Sequence, residues 1–375
     1  MATAYWILLC IALYSYALYP LLLMLRTALV PRKAPVREAA RVSMTVITTA
    51  YNEEQRIRQK LHNLCELQYP ELELLVASDC SSDATDAIVT QYQDRGVRLV
   101  RATERLGKEN AQLCAIRASR SDVLVFSDVA TVLPAASLQK LAQYFADPTI
   151  GAVSSEDRFI SRDGQVVGEG AYVYYEMWLR RLESGTSGVV GLSGSFFAAR
   201  RVVCSEWDIH SPSDFNTALN CARLGLKAVT APDVLGYYQD LKDPGGEYER
   251  KVRTVLRGMT AIVRHRDVLD PVRFGWFAWQ VWSHKVMRWV VPFALVALLL
   301  VNIPLAFRHG FFALSLVAQL LFYGCAVAAH WMPPLRRIGP VRLLYFFLQV
   351  NVAIVHAFVR LCRGRRMTTW QPSSR

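Results

Sequence analysis

Paired cysteines are missing from this chain. Its eight cysteines are scattered from Cys10 to Cys362 with no CxxC among them, so neither a zinc site nor a disulfide framework is indicated. That usage suits a reducing cytoplasm. The seven histidines are equally dispersed and read as ordinary core or surface residues. No internal repeat is present, which sets aside the repeat architectures. Negative charge is scarce: 31 acidic residues face 43 basic ones, a formal balance of +12. A basic balance points to nucleic acid, an acidic membrane surface or an anionic substrate. No nucleic-acid recognition motif interleaves with these cations, so nucleic acid is not the expected partner.

Long apolar runs are abundant instead, and 53% of the residues are hydrophobic. Tyr5–Leu25 is almost wholly apolar and uncharged, about the length that crosses a hydrocarbon core of ~30 Å. No positively charged start precedes it, and it is long for a signal peptide, so an uncleaved anchor is expected. Trp289–Phe307 and Phe311–Trp331 are two further spans, and Leu343–Val359 is a shorter one interrupted by Gln349, Asn351 and His356. Cations flank the spans: Arg26, Arg32, Lys33, Arg37 and Arg41 after the first, Lys285 and Arg288 before the second, Arg336, Arg337 and Arg342 after the third. Such flanks mark cytoplasmic sides, which puts the large middle region in the cytoplasm. Three full spans after it would leave Arg360, Arg363, Arg365 and Arg366 outside. Either the last segment is re-entrant or interfacial, or the span count differs.

The expected organisation is a transmembrane anchor over 1–28, a basic linker over 29–41, a cytoplasmic domain over 42–270, an interfacial amphipathic helix over 271–288, a membrane region of two to three spans over 289–361 and a basic tail over 362–375. Within 42–148 strands alternate with helices. Strands are expected at Val42–Thr48, Leu72–Ala77, Val97–Arg101 and Val123–Asp128. Helices are expected at Glu53–Leu67, Asp83–Tyr92, Glu109–Ala118 and Ala135–Phe145. Repeated βα units argue for a largely parallel sheet. From Gly151 the rhythm changes to a helix at Gly168–Glu183, a Gly/Ser loop at Gly185–Gly194, a helix at Phe215–Leu224 and a basic helix at Tyr248–His265. The four tryptophans of Phe274–Trp289, set among cations, suit the membrane interface.

Several strands deliver polar groups to what should be one rim, where open α/β sheets bind ligands. VLVFSDVAT ends its apolar run in Asp128, which either holds a divalent metal at a diphosphate or caps the turn before Pro134. Asp79, after Leu72–Ala77, either contacts a nucleobase or ribose or caps a turn. Lys108 in RLGK either meets phosphate oxygens or is a solvated surface charge. Asp214 either caps a helix or takes a proton from a sugar hydroxyl. Arg250 and Arg253 share a helix face and either neutralise a leaving diphosphate or meet lipid head groups.

In their order and spacing, VITTAYNEE, LLVASDCSSDAT, RLGKENAQLCAI, VLVFSDVATVLP, GAVSSE, GLSGSFFAARR, SDFNTALNCARLGLKA, ERKVRTVLRG and SHKVMRWVVPF resemble family-2 glycosyltransferases of the GT-A fold, especially membrane-bound bacterial members that build extracellular polysaccharides. The likeness covers about Val42 to Pro292. It implies a GT-A-like, mostly parallel α/β sheet flanked by helices, with N-terminal and C-terminal transmembrane helices. It implies an inverting transfer from a nucleotide sugar, UDP-linked by family habit, to a lipid-linked or growing saccharide at the inner or plasma membrane. Ala50, Glu53 and Asp79 would hold the nucleotide, Lys108 would lie near the phosphates, and Asp128 would be the first carboxylate of the DxD motif, binding Mg2+ or Mn2+. Gly194 and Ser195 would line the sugar cleft. Asp214 would be the base, and Arg250 and Arg253 would match the basic end of the QxxRW region. Membrane lipids and polysaccharide-assembly proteins are the further partners implied.

Four departures stand out. Ala130 occupies the second DxD position, Ser213 precedes the base, Ser78 replaces the first of the usual aspartate pair, and Arg250 and Thr254 stand for the Gln and Trp of QxxRW. Two other readings therefore stay open: a processive synthase that exports its own polymer, and a non-catalytic glycosyltransferase-like scaffold subunit.

Overall fold

A computed structural model describes residues 1–29, 41–160, 171–239 and 244–365. The basic linker with Arg32, Lys33 and Arg37, the first residues of the Gly168–Glu183 helix, and Arg366 in the tail lie outside the described residues. Seven strands form one sheet: β1 Met44–Ala50, β2 Leu72–Ser78, β3 Val97–Arg101, β4 Val123–Asp128, β5 Ile150–Ile160, β6 Phe196–Arg200 and β7 Lys227–Gln239, in the order β3-β2-β1-β4-β6-β5-β7. All neighbours run parallel except β6, which is antiparallel to both β4 and β5. The mostly parallel α/β sheet expected from the sequence is the one observed. All seven residues of β1 are buried, as a central strand covered on both faces requires.

Side chains alternate between two cores. Met44, Val46, Val123 and Val125 pack on one face, and Ile47, Leu124 and Phe126 on the other. In chain order the helices are α1 Ala2–Leu29, α2 Ile57–Cys65, α3 Thr85–Thr90, α4 Lys108–Ala118, α5 Ser137–Phe145, α6 Ala171–Ser184, α7 Ser213–Arg223, α8 Pro244–Arg264, α9 Pro271–Ala306, α10 Gly310–Trp331 and α11 Gly339–Cys362. The first face receives α2 and α5; the second receives α4 and α7. Phe126 stacks on Phe197 at 4.7 Å and on Trp207 at 5.0 Å, which locks β4 to β6.

Strand order reverses between β1 and β4: β2 and β3 lie to one side, and β6, β5 and β7 to the other. A crevice opens at such a switch point beyond the carboxyl ends. Register brings Ala50 level with Ser78, and Thr49 level with Asp128.

Among the described residues four helices are long and apolar enough to cross a membrane: α1, α9, α10 and α11. The apolar pattern separates an interfacial helix from a span at residue 289, but α9 joins them in one run of 36 residues. It kinks at Gly275 (φ 51°), a backbone that favours glycine, and carries a π-helical turn at Trp282–Val286. The polar residues that interrupt the last apolar segment have partners. Gln349 accepts from Lys251 Nζ at 2.9 Å, and His356 meets the Tyr248 hydroxyl at 3.4 Å, because α11 packs along α8. Turning these groups to a protein neighbour keeps them out of lipid.

Candidate donor and base site

Asp79 follows β2 and is fully buried. Its Oδ1 accepts the Gly107 N–H at 3.1 Å, and its Oδ2 has no partner among the described residues. Burial pushes the carboxyl above its usual range, against the pull of the Gly107 N–H and Arg105. An orphaned carboxylate oxygen at the switch point is an acceptor for the N–H or O–H of a ligand. Above it the Arg105 guanidinium lies 3.9 Å over the Tyr51 ring. The Asp79 N–H donates to the Ala50 carbonyl at 3.0 Å, and the Glu53 N–H donates to Thr85 Oγ1 at 2.8 Å, which fixes the loop after β1.

Gly107 takes φ 107° and turns the chain into α4, so that Lys108 opens the helix. Lys108 is buried rather than solvated. Its Nζ donates to Asp128 Oδ1 at 2.6 Å and to the Gly194 carbonyl at 2.9 Å. Burial works against its charge, but Asp128, with Glu109 and Asp214 farther off, raises the ammonium above its ordinary value. The Asp128 N–H in turn donates to the Ser195 carbonyl at 2.9 Å.

Asp214 sits in the first turn of α7, but the N-cap position belongs to Pro212 and no side chain caps this helix. The capping role allowed by the sequence is not taken up. The half-buried Asp214 carboxylate has no hydrogen-bond or ionic partner among the described residues. A side chain on Gly194 would lie 3.3 Å from Asp214 Oδ2, so glycine there lets the loop pass beneath the carboxylate. Ala50, Asp79, Lys108, Asp128, Gly194, Ser195 and Asp214 thus belong to one contiguous rim.

Arg250 and Arg253 lie on α8. Arg250 is exposed, and no hydrogen bond or ion pair ties it to the rim among the described residues. Arg253 is half-buried; burial and the neighbouring Arg257 and Arg250 push its guanidinium down. Arg257, which the motif comparison passes over, provides the link. Its Nη2 donates to Glu109 Oε1 at 2.5 Å, docking the arginine face of α8 on the turn that carries Lys108. Its spacing, four residues beyond Arg253 on the same helix face, was the available signal.

Two other supports were not singled out from the sequence. Asp157 accepts from Ser193 Oγ at 2.6 Å and Ser195 Oγ at 2.8 Å, pinning the loop that passes under Asp214. Lys60 is fully buried on α2, where it donates to Ser127 Oγ at 2.8 Å and the Thr131 carbonyl at 2.6 Å on either side of Asp128. A lysine one residue before Leu61 on the apolar face of Ile57 and Leu64 was a readable anomaly.

Burial lowers the Lys60 ammonium to about 7, and Asp128 resists that shift. Its unfolded value lies near 10.5, so between about 7 and 10.5 the unfolded chain binds more protons and stability rises with pH. Below about 7 the cost of burying the charge is fully present. Thermal melts at pH 7, 8 and 9.5 should show the wild type gaining on Lys60→Met as pH rises, by at most about 1.4 kcal/mol per unit. Parallel curves for the two proteins would remove this role.

Residues 45–207 match the model of glycosyl transferase family 2. Over that stretch the chain is similar to family-2 glycosyltransferases. The enzyme is 23% identical over 230 residues to poly-beta-1,6-N-acetyl-D-glucosamine synthase of Staphylococcus epidermidis, and equally to that of Staphylococcus aureus strain COL. Each match covers 59% of this chain and 56% of the relative, so it spans little more than half the length of these proteins. Its fold is shared with a mannosyltransferase from Pyrobaculum calidifontis solved in complex with GDP-Man and Mn2+. That likeness has a TM-score of 0.72 and 24% identity, and covers 97% of this chain and 99% of the other.

Proposed function

We propose that this glycosyltransferase is a multi-pass enzyme of the inner or plasma membrane. Its cytoplasmic site moves a sugar from a nucleotide diphosphate, with inversion, to a lipid-linked or growing saccharide in polysaccharide biosynthesis. The observation that carries this reading is the unpartnered Asp214 carboxylate against Gly194, whose carbonyl holds the Lys108 ammonium that grips Asp128. A base, a cation and a carboxylate are arranged around one loop. Asp214 takes the proton of the acceptor hydroxyl as its oxygen attacks the anomeric carbon, and the diphosphate leaves from the opposite face. Lys108, with Arg253 and Arg250 on α8, stabilises the charge that builds on the leaving group. Asp79 and Glu53 hold the base and ribose, beside Ala50, and Ser195 and Gly194 line the sugar pocket.

No group of three or more His, Cys, Asp or Glu side chains that could hold a metal occurs among the described residues. Asp128 alone would hold a divalent cation, which would supply further charge neutralisation at the diphosphate. Such ions are commonly bound through one or two carboxylates plus substrate phosphates and water. Fit therefore depends on the donor. Titration of Mn2+ into the protein should show no specific binding alone and clear binding once a nucleoside diphosphate is present. Equal binding in both cases would contradict this.

The test of function is transfer from a panel of labelled nucleotide sugars by membranes containing the full chain. Release of nucleoside diphosphate with label in a lipid-extractable or polymeric product is expected. Membranes that consume no donor, with no nucleotide binding to the purified protein, would leave only a scaffold. The staphylococcal relatives, which are poly-beta-1,6-N-acetyl-D-glucosamine synthases, favour a second reading, a chain-elongating synthase. A ladder of long products supports that reading, and a single added sugar supports the first.

A further inference from the structure

We infer that Arg180 and Lys285 form a subsite for a phosphate group on a membrane-held acceptor, beside Asp214. This deepens the function proposed above and rests on it for the role of Asp214.

Lys285 lies in the π-helical turn of α9, a membrane-crossing candidate, yet it turns toward the sheet domain. Its Nζ lies 3.9 Å from the position a side chain on Gly191 would occupy and 5.6 Å from the ring of Phe215, the neighbour of Asp214. Arg180 reaches the same loop from α6, where its Nη2 donates to the Leu192 carbonyl at 3.3 Å. The Leu192 N–H donates to the Asp214 carbonyl at 3.2 Å. One end of the loop 191–195 thus touches Lys108 and Asp128, and the other touches these two cations.

Neither cation is ion-paired among the described residues, although acids are close. Each of those acids is already engaged. Glu156 holds Arg181 in a two-pronged pair at 2.8 Å, and Glu176 holds Arg288 at 2.6 Å. Glu183 is shared by His284 at 2.6 Å and the Tyr19 hydroxyl at 2.5 Å. Asp157 is occupied by the hydroxyls of Ser193 and Ser195. Two half-buried cations thus remain outside any ion pair among the described residues beside the proposed base, with Glu176 and Glu183 acting on Lys285 only from beyond contact.

An unpaired ionisable group on a membrane helix is costly, and such groups mark substrate sites. π-turns within helices are frequent at functional positions for the same reason, because they re-aim a side chain. Arg and Lys together suit a phosphate, whose oxygens accept charge-assisted hydrogen bonds from both. Lys285 stands on a membrane-crossing candidate, and α6, which carries Arg180, packs through Leu179 on Tyr19 and Leu23 of α1, another such candidate, which favours a phosphate ester on a lipid carrier. The carboxylate of an acidic saccharide is the other source of the same charge.

The test uses the full-length protein in phosphatidylcholine nanodiscs, with binding of farnesyl phosphate, farnesol and a glucuronate-containing oligosaccharide measured in parallel with a nucleoside diphosphate. Farnesyl phosphate should bind the wild type better than farnesol does. Lys285→Met and Arg180→Met should each weaken it about ten- to a hundredfold, the scale of a charge-assisted contact. Lys285→Arg should retain most of it, and nucleoside diphosphate should bind all these proteins alike. The melting temperature of Lys285→Met should equal or exceed that of the wild type, since an unpaired cation has been removed. Farnesyl phosphate binding unchanged in both Met variants would overturn the assignment. So would tighter binding of the glucuronate oligosaccharide, or parallel loss of nucleoside diphosphate binding, which would move the cations to the donor. Failure of nucleotide binding by the wild type would instead overturn the underlying transferase reading, which keeps the two failures apart.

Discussion

Asp214→Asn should lower sugar transfer by about 10²–10⁴-fold, the usual range for loss of a positioned general base. The substitution keeps the size of the side chain beside Gly194 and removes only its capacity to take a proton. No cap or ion pair is lost with it, because the N-cap of α7 is Pro212 and the carboxylate has no partner among the described residues. Folding and nucleotide binding should therefore match the wild type, and the deficit should fall on kcat. Single-turnover transfer in membranes, with nucleotide affinity measured on the same preparations, separates the two effects. Undiminished transfer would remove Asp214 from the chemistry, and equal losses of binding and transfer would make it a donor contact.

Lys108→Met should lower transfer by about 10²–10³-fold and weaken nucleotide binding as well. Lys108 joins Asp128 to the Gly194 carbonyl, so its loss would loosen the loop under Asp214 and, on the proposed reading, remove a cation from the diphosphate. Asp128 would also be left without its ammonium partner in a partly closed site, which is costlier than losing a surface pair. Lys108→Arg keeps the charge but not the point geometry, and recovery should be partial. A Lys108→Met enzyme with normal affinity and rate would leave this residue only a structural tie between Asp128 and the Gly194 loop.

The rim of the candidate site was legible because short apolar, β-branched strands end in polar residues. β1, β2 and β4 are such runs, and once they are parallel and adjacent their ends must share a rim. Asp79 and Asp128 follow from that geometry, whereas Lys108, at the end of the loop after β3, came forward only through the resemblance. The later strands were not legible. β7 contains Pro232 and Gly236 and pairs with β5 through register shifts, as an edge strand tolerates, so it lacks a clean alternation. Asp157 on β5 was missed for the same reason. Lys60 and Arg257 stand out locally, one by its place on an apolar helix face and one by its spacing, but their partners lie 67 and 148 residues away in sequence, so the local pattern does not say what they bind. The aromatic stretch before residue 289 looked interfacial because tryptophans and cations mix there. In the fold those cations face protein: Arg288 pairs with Glu176, and Lys285 faces the loop at Gly191.

The central claim is that a single crevice beyond β1, β2 and β4 takes the nucleotide sugar and presents it to Asp214. A structure of the full chain with a bound nucleotide sugar tests it most directly. The nucleoside should lie against Asp79, the diphosphate at Lys108 and Asp128, and the anomeric carbon should face the Asp214 carboxylate across Gly194. A donor bound elsewhere, or bound in this crevice with its sugar directed away from Asp214, would contradict it.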